Sequence, residues 1–204
     1  MKKIIIALLF SLMIVGCGET NEQTSSPQNV NESSAAENKS IFNGNGYTIE
    51  YPAEMETNEQ KADGMESDGM KGMHFHFPGT PNNLDLLIFG GKYPEQSNDH
   101  HEYFVNTIRN MNSYCEENAI AGTLSQTNTG SMDGWYYTST TEFVAKNNDS
   151  YKFMNTYYST EDSIYCIRAM LPTGEAESPE DNARMVKAYN EICKSFREKN
   201  PVLE

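Results

Sequence analysis

The sequence contains little of what most enzyme classes require. Its 204 residues include four cysteines, four histidines and one tryptophan, and they contain no GxSxG, HExxH or phosphate-binding glycine motif. Positive charge is also scarce, because 15 Lys and Arg stand against 29 Asp and Glu, a formal net charge of −14. Nucleic acids and anionic membrane surfaces are polyanions, so this balance disfavours both as partners. We expect a non-enzymatic protein that needs no cofactor and binds no nucleic acid.

Long apolar runs are absent except at the N-terminus. Lys2 and Lys3 precede an apolar run over residues 4–15, which is shorter than the roughly 20 residues that cross a bilayer as a helix. The run ends in the letters IVGC, which resemble the lipobox of bacterial lipoproteins. We therefore expect residues 1–16 to be a signal peptide and Cys17 to be acylated with fatty acid such as palmitate. An ordinary secretory signal that leaves Cys17 as a free thiol is the alternative.

Acylation would decide where the protein is found. Two or three acyl chains hold a protein on a bilayer durably, whereas a single chain does not. Loss of residues 1–16 removes two lysines and no acid, so the formal charge moves from −14 to −16. Residues 17–40 have one large apolar residue after the cysteine, Val30, and we expect a flexible tether. The predicted location is the cell membrane or outer membrane, facing away from the cytoplasm, with an envelope protein or small ligand as the unknown partner.

Residues 41–204 have the patterns of a globular domain. Alternating apolar and polar residues predict three strands over 46–52, 73–78 and 84–89, with a loop over residues 53–72. Over about residues 98–117 the spacing of apolar residues changes to the three- and four-residue spacing of a helix. Its predicted buried stripe consists of Phe104, Ile108, Met111 and Cys115.

After Gly122, apolar and polar residues again alternate with a period of two. Short turn-like connections separate four further predicted strands, over 123–129, 134–145, 151–159 and 163–171. Ser178 as N-cap and Pro179 at the first helical position then mark the start of a closing helix. The order of elements predicts an α+β domain with a largely antiparallel sheet.

Two short segments carry a resemblance to a known family. The opening GYTIEYP and the closing helix with ICKSF, in this order of elements, resemble the PsbP-like group, which includes bacterial lipoproteins related to DcrB. The resemblance implies an α/β/α sandwich that binds partners and has no catalytic centre common to the group. It transfers no functional residue to this chain, because the group has no motif that matches position by position.

Methionine and histidine cluster before and within the second predicted strand. Met70, Met73, His74 and His76 are candidate ligands for copper, and the two histidines, two apart on a strand, would share one face. This predicts a copper-binding lipoprotein as an alternative function. Methionines that fill a core or a mobile loop are the competing interpretation, since two histidines do not complete a metal shell.

Three cysteines remain beyond the predicted lipidation site. Cys115, Cys166 and Cys193 permit a thiol-dependent enzyme, but their apolar neighbours favour structural roles. Export allows disulfides to persist, and a helix that follows a strand closely usually packs on it. We expect a Cys166–Cys193 disulfide, with Cys115 as a buried thiol; three reduced cysteines are the alternative.

Aromatic residues concentrate in the predicted meander. Trp135, Tyr136, Tyr137, Tyr157 and Tyr158 are candidates to line a ligand-binding groove. Cross-strand packing between aromatic neighbours is the other interpretation.

Overall fold

The structure is a computed structural model, and it describes residues 38–60, 71–81, 84–95, 97, 99–130, 132, 136–174 and 178–198. The elements in chain order are β1 (Lys39–Asn43), β2 (Tyr47–Pro52), β3 (Glu56–Gln60), β4 (Lys71–His76), β5 (Asp85–Lys92), α1 (His100–Asn118), β6 (Ser125–Gly130), β7 (Tyr136–Val144), β8 (Ser150–Ser159), β9 (Ser163–Pro172), α2 (Pro179–Ser195) and β10 (Arg197–Glu198).

Seven strands form the central sheet, in the order β3-β4-β5-β9-β8-β7-β6. Each neighbouring pair is antiparallel. Helix α1 carries the chain from β5 to the far edge of the sheet, and the predicted four-strand meander then returns to β5. Phe89 of β5 lies opposite Cys166 of β9 at this closure.

The two helices cover opposite faces of the sheet, as the alternation along β9 shows. Tyr165 and Ile167 pack in the core beneath α2, whereas Ile164 and Cys166 pack with Phe104 of α1. Successive side chains of a strand point to opposite faces, so one strand supplies both cores. The expected α+β fold, an α/β/α sandwich around a largely antiparallel sheet, is confirmed.

A smaller sheet, in the order β1-β2-β10, lies beside α2. Ser195, the last residue of α2, joins the helix to this sheet. Its hydroxyl accepts a hydrogen bond from the Glu50 amide at 2.9 Å and lies 3.1 Å from the Glu50 carbonyl. The C-terminal end of α2 is therefore fixed between the two sheets.

Both helices begin at the kind of residue that satisfies free backbone amides. Asp99 accepts a hydrogen bond from the Glu102 amide at 2.9 Å, and Ser178 accepts one from the Asp181 amide at 3.2 Å. The predicted start of α2 is confirmed, with Pro179 as its first residue.

Three strands were not predicted. β1, β3 and β10 escape the pattern because all three are short, and β3 and β10 are also polar. Part of the predicted loop over residues 53–72 is the strand Glu56–Gln60. β1 and β3 are edge strands. An edge strand has one neighbour and keeps more of its surface in water, so it needs fewer apolar residues. The first strand also begins at Lys39, within the stretch predicted as tether.

Candidate functional site

A groove lies where α2 leaves part of the sheet uncovered. Helix α2 packs mainly on β2, β9 and β5, so the same face of the sheet is open at β7. The groove between β7, β8 and α2 has a volume of about 460 Å³, and we call it the β7–α2 groove. Its lining consists of Tyr136, Thr138, Ser139, Thr140, Met154, Thr156, Tyr158, Tyr189, Asn190, Cys193 and Lys194.

The alternation of β7 creates the floor of the groove. Tyr137 and Phe143 are buried on the α1 side, which turns Tyr136, Thr138 and Thr140 toward the groove. Cross-strand pairing with β8 places Tyr136 opposite Tyr158, Thr138 opposite Thr156 and Thr140 opposite Met154. The floor therefore combines tyrosine and threonine side chains with that of Met154.

Hydrogen bonds and ring stacking hold the wall of the groove in place. The hydroxyls of Thr156 and Tyr189 are 2.6 Å apart, and the Tyr158 hydroxyl donates to the carbonyl of Cys193 at 3.0 Å. The Tyr158 ring stacks on Phe196, with 4.5 Å between centroids and 8° between planes. Tyr136 is 48% exposed, and its ring centroid lies 5.3 Å from that of Tyr158. The groove is thus a preformed site with one accessible ring.

The groove is nearly uncharged. Lys194 is the one charged residue among the described residues that line it. Burial raises the pKa of the Cys193 thiol from 9.0 to about 11, and burial also raises the pKa of Tyr158 and of Tyr189. These groups are neutral at pH 7, so the groove offers hydroxyls, an amide and aromatic rings but no thiolate nucleophile.

The five predicted groove aromatics are divided between the two faces of the sheet. Tyr136 and Tyr158 line the groove, as expected. Tyr137 and Tyr157 pack in the core beneath α1, which is the cross-strand packing stated as the alternative. Trp135 lies outside the described residues.

Sequence reasoning missed the contributions of α2 and of the threonines. Tyr189, Asn190 and Lys194 line the groove only because of how α2 docks on the sheet. Thr138 and Thr140 could have been predicted, because residues two and four positions after Tyr136 lie on the same face of the strand.

The two predicted histidine ligands do share one face of β4. Their rings stack, with centroids 5.5 Å apart. His74 Nε2 lies 2.8 Å from a carboxylate oxygen of Asp85, and His76 Nε2 lies 3.3 Å from one of Glu56. Each imidazole is therefore beside its own carboxylate.

The predicted methionine ligands do not join these histidines. Met73 points to the opposite face and packs against the core beneath α2, because it is one residue out of phase with His74. Met70 lies outside the described residues. In the part of the chain that the structure describes, no three His, Cys, Asp or Glu side chains are grouped to hold a metal ion.

The predicted disulfide is not formed in the structure, where the three described cysteines are free. Cys166 packs in the core beneath α1, whereas Cys193 packs against the core beneath α2. The period of the strand accounts for this, since Ile167 rather than Cys166 points toward α2. Cys115 is a buried residue of α1, as expected. Burial raises the pKa of Cys115 to about 11 and of Cys166 to about 12.

Comparison with solved structures shows a likeness of the fold. The structure is similar to the solution structure of the cyanobacterial PsbP protein, CyanoP, from Synechocystis, with a TM-score of 0.48 and 10% sequence identity. The likeness covers 81% of this chain and 95% of that one. No protein-family model matches the sequence, and no curated protein matches it. Neither described helix is long and apolar enough to cross a membrane.

Proposed function

We propose that this chain is a lipid-anchored lipoprotein of the cell envelope whose domain acts as a non-enzymatic binding or accessory module. The N-terminal apolar run and the IVGC letters support export and acylation at Cys17. The polar stretch between Cys17 and β1 would supply a tether that holds the domain away from the bilayer. The PsbP-like resemblance, including the relation to DcrB lipoproteins, agrees with this role.

The β7–α2 groove is the observation that carries the binding role. It is concave and preformed, and it combines the exposed Tyr136 ring with threonine hydroxyls and the Asn190 amide. Ligand-binding sites typically have a small number of polar groups that converge on an apolar or aromatic surface. A nucleophilic enzyme needs an activated group beside a base. The raised pKa of Cys193, and the absence of histidine from the described lining, favour binding over catalysis.

Hydrogen exchange of the intact lipoprotein, with and without a detergent-solubilised envelope extract, tests this role. We expect slower exchange of β7 and β8 amides when the extract is present. Tyr136→Ala should abolish that protection. Tyr114→Ala is the matched control, because Tyr114 is 52% exposed on α1, which covers the other face of the sheet. Protection that is absent, or that survives in Tyr136→Ala, would contradict the proposal.

A soft-metal site at His74 and His76 is the second candidate function, and the position of both imidazoles on one face of β4, with ring centroids 5.5 Å apart, favours it. With Met73 facing away, the imidazoles would be the main ligands. Copper titration of the protein and of the double variant His74→Ala/His76→Ala tests it. Equal copper affinity of the two proteins would exclude this site.

A further inference from the structure

We propose that the ligand of the β7–α2 groove is a neutral saccharide chain, an inference that depends on the binding role proposed above. The inference rests on three properties of the groove: its hydroxyl-bearing floor, its exposed aromatic ring and the absence of carboxylates from its described lining. Each property selects against other ligand classes.

The hydroxyl floor extends beyond the groove itself. Cross-strand pairing places Thr129 of β6 opposite Thr138, and Thr127 opposite Thr140. Directly opposed residues of an antiparallel pair share one face, and both β6 threonines are exposed. Partly exposed or exposed threonines thus run across β6 and β7, whereas Thr156 of β8 is 2% exposed and its hydroxyl is bonded to that of Tyr189. Adjacent strands lie about 4.8 Å apart, so this floor suits an elongated ligand with many hydroxyls.

The Tyr136 ring supplies the apolar half of the recognition. It is 48% exposed and forms a tilted pair with Tyr158, so part of its face is open to a ligand. A pyranose has an apolar C–H face and a rim of hydroxyls, and tyrosine offers a flat apolar ring with a polar tip. Asn190 and Lys194 supply hydrogen-bond donors at the opposite wall.

Charge argues against ionic ligands. The mature chain has a formal charge of −16 once residues 1–16 are removed, so an anionic ligand meets long-range repulsion and finds a single cation, Lys194, in the lining. A cationic ligand finds no carboxylate among the described lining residues. A wholly apolar ligand would cover the Tyr136 and Thr140 hydroxyls and the Asn190 amide without giving them hydrogen-bond partners, which is unfavourable. The Thr138 hydroxyl already donates to the Thr129 carbonyl at 3.2 Å.

An extended peptide is also a poor match. Peptides that bind to sheets add a strand at an edge and pair with free backbone groups. The floor of the groove is a sheet face, and the backbones of β7 and β8 already pair with each other from Tyr136–Tyr158 to Val144–Ser150. Recognition at this surface must therefore come from side chains.

The test is a titration of the intact acylated protein with cellotetraose and with maltotetraose, in a detergent without sugar groups, monitored by saturation-transfer NMR. We expect at least one of these neutral tetrasaccharides to bind, and an oligogalacturonate of the same length not to bind. Tyr136→Ala should weaken the affinity about tenfold or more, the loss typical of an aromatic anchor. The hydroxyl-deleting pair Thr138→Val/Thr140→Val should also weaken it, whereas Tyr114→Ala should leave it unchanged.

Treatment of the envelope extract separates this inference from the function on which it rests. If periodate, which cleaves sugars between vicinal hydroxyls, removes the protection of β7 and β8 in hydrogen exchange and protease does not, the saccharide is supported. If protease removes it and periodate does not, the ligand is a protein and the saccharide inference is wrong, while the binding role stands. If no extract protects the groove, both are wrong. Unchanged circular-dichroism melting of each variant shows that it has folded.

Discussion

Phe196 holds the C-terminal end of α2 against the sheet, and its removal should be one of the most destabilising changes near the groove. Its ring stacks on Tyr158 at 4.5 Å and on Tyr47 at 5.6 Å, and it lies tilted 5.3 Å from Tyr165. The residue is 9% exposed. Truncation of a buried phenylalanine to alanine costs about 3–5 kcal/mol. Because Phe196 is at the edge of its core, where water reaches the space left behind, we expect about 3 kcal/mol for Phe196→Ala.

Equilibrium unfolding in urea measures this loss directly. Phe196→Leu keeps most of the apolar volume but removes the stacking, so we expect a loss of about 1 kcal/mol. Tyr114→Ala, an exposed control, should change the free energy of unfolding by less than about 0.5 kcal/mol. A loss below about 1 kcal/mol for Phe196→Ala would refute the view that this ring fixes α2 and, through Tyr158, the wall of the groove.

Three further predictions concern stability and thiol reactivity. Burial raises the pKa of Cys166 from 9.0 to about 12 and that of Cys193 from 9.0 to about 11. As the pH rises, the unfolded chain therefore loses these two protons before the folded protein does. The free energy of unfolding should hold up to about pH 9 and fall above it by up to about 1.4 kcal/mol per pH unit and group; urea midpoints that stay constant to pH 11 would contradict this. Gly90→Ala should cost more than about 2 kcal/mol in urea unfolding, because its φ is +153° and an added Cβ would lie 2.3 Å from the Ile164 carbonyl oxygen. Gly79→Ala, at φ +81° with open space around it, should cost only about 1 kcal/mol, and an equal loss at both sites would count against this packing. Alkylation followed by mass mapping should label half-buried Cys193 before the buried Cys115 and Cys166, whereas a Cys166–Cys193 bridge would show the opposite-face assignment to be wrong.

The strands and helices that build the cores were predictable, because their burial leaves a period in the sequence. The stripe of Phe104, Ile108, Met111 and Cys115 is the buried face of α1, as expected. The edge strand β3 leaves no such period. The backbone hydrogen-bonding groups of the polar strand Glu56–Gln60 are paired with β4. Its side chains are all polar and need no burial.

The groove was only partly predictable, because it depends on how separate elements dock. The phase of a strand tells which of its residues share a face, so Tyr136 and Tyr158 were candidates. It does not tell which face a distant helix covers. The same limit explains the disulfide prediction, since Cys166 and Cys193 come from adjacent elements whose side chains point to opposite sides of the sheet.

Metabolic labelling with radioactive palmitate tests most directly whether lipid on Cys17 holds this domain at a membrane. In cells that express the protein and the Cys17→Ser variant, we expect label in a membrane-associated mature form of the first. The variant should accumulate as an unlabelled precursor, because it lacks the thiol that accepts the lipid. Cys115, Cys166 and Cys193 are present in both proteins and serve as the internal control. Equal labelling of the two proteins would show that Cys17 is not the lipidated residue.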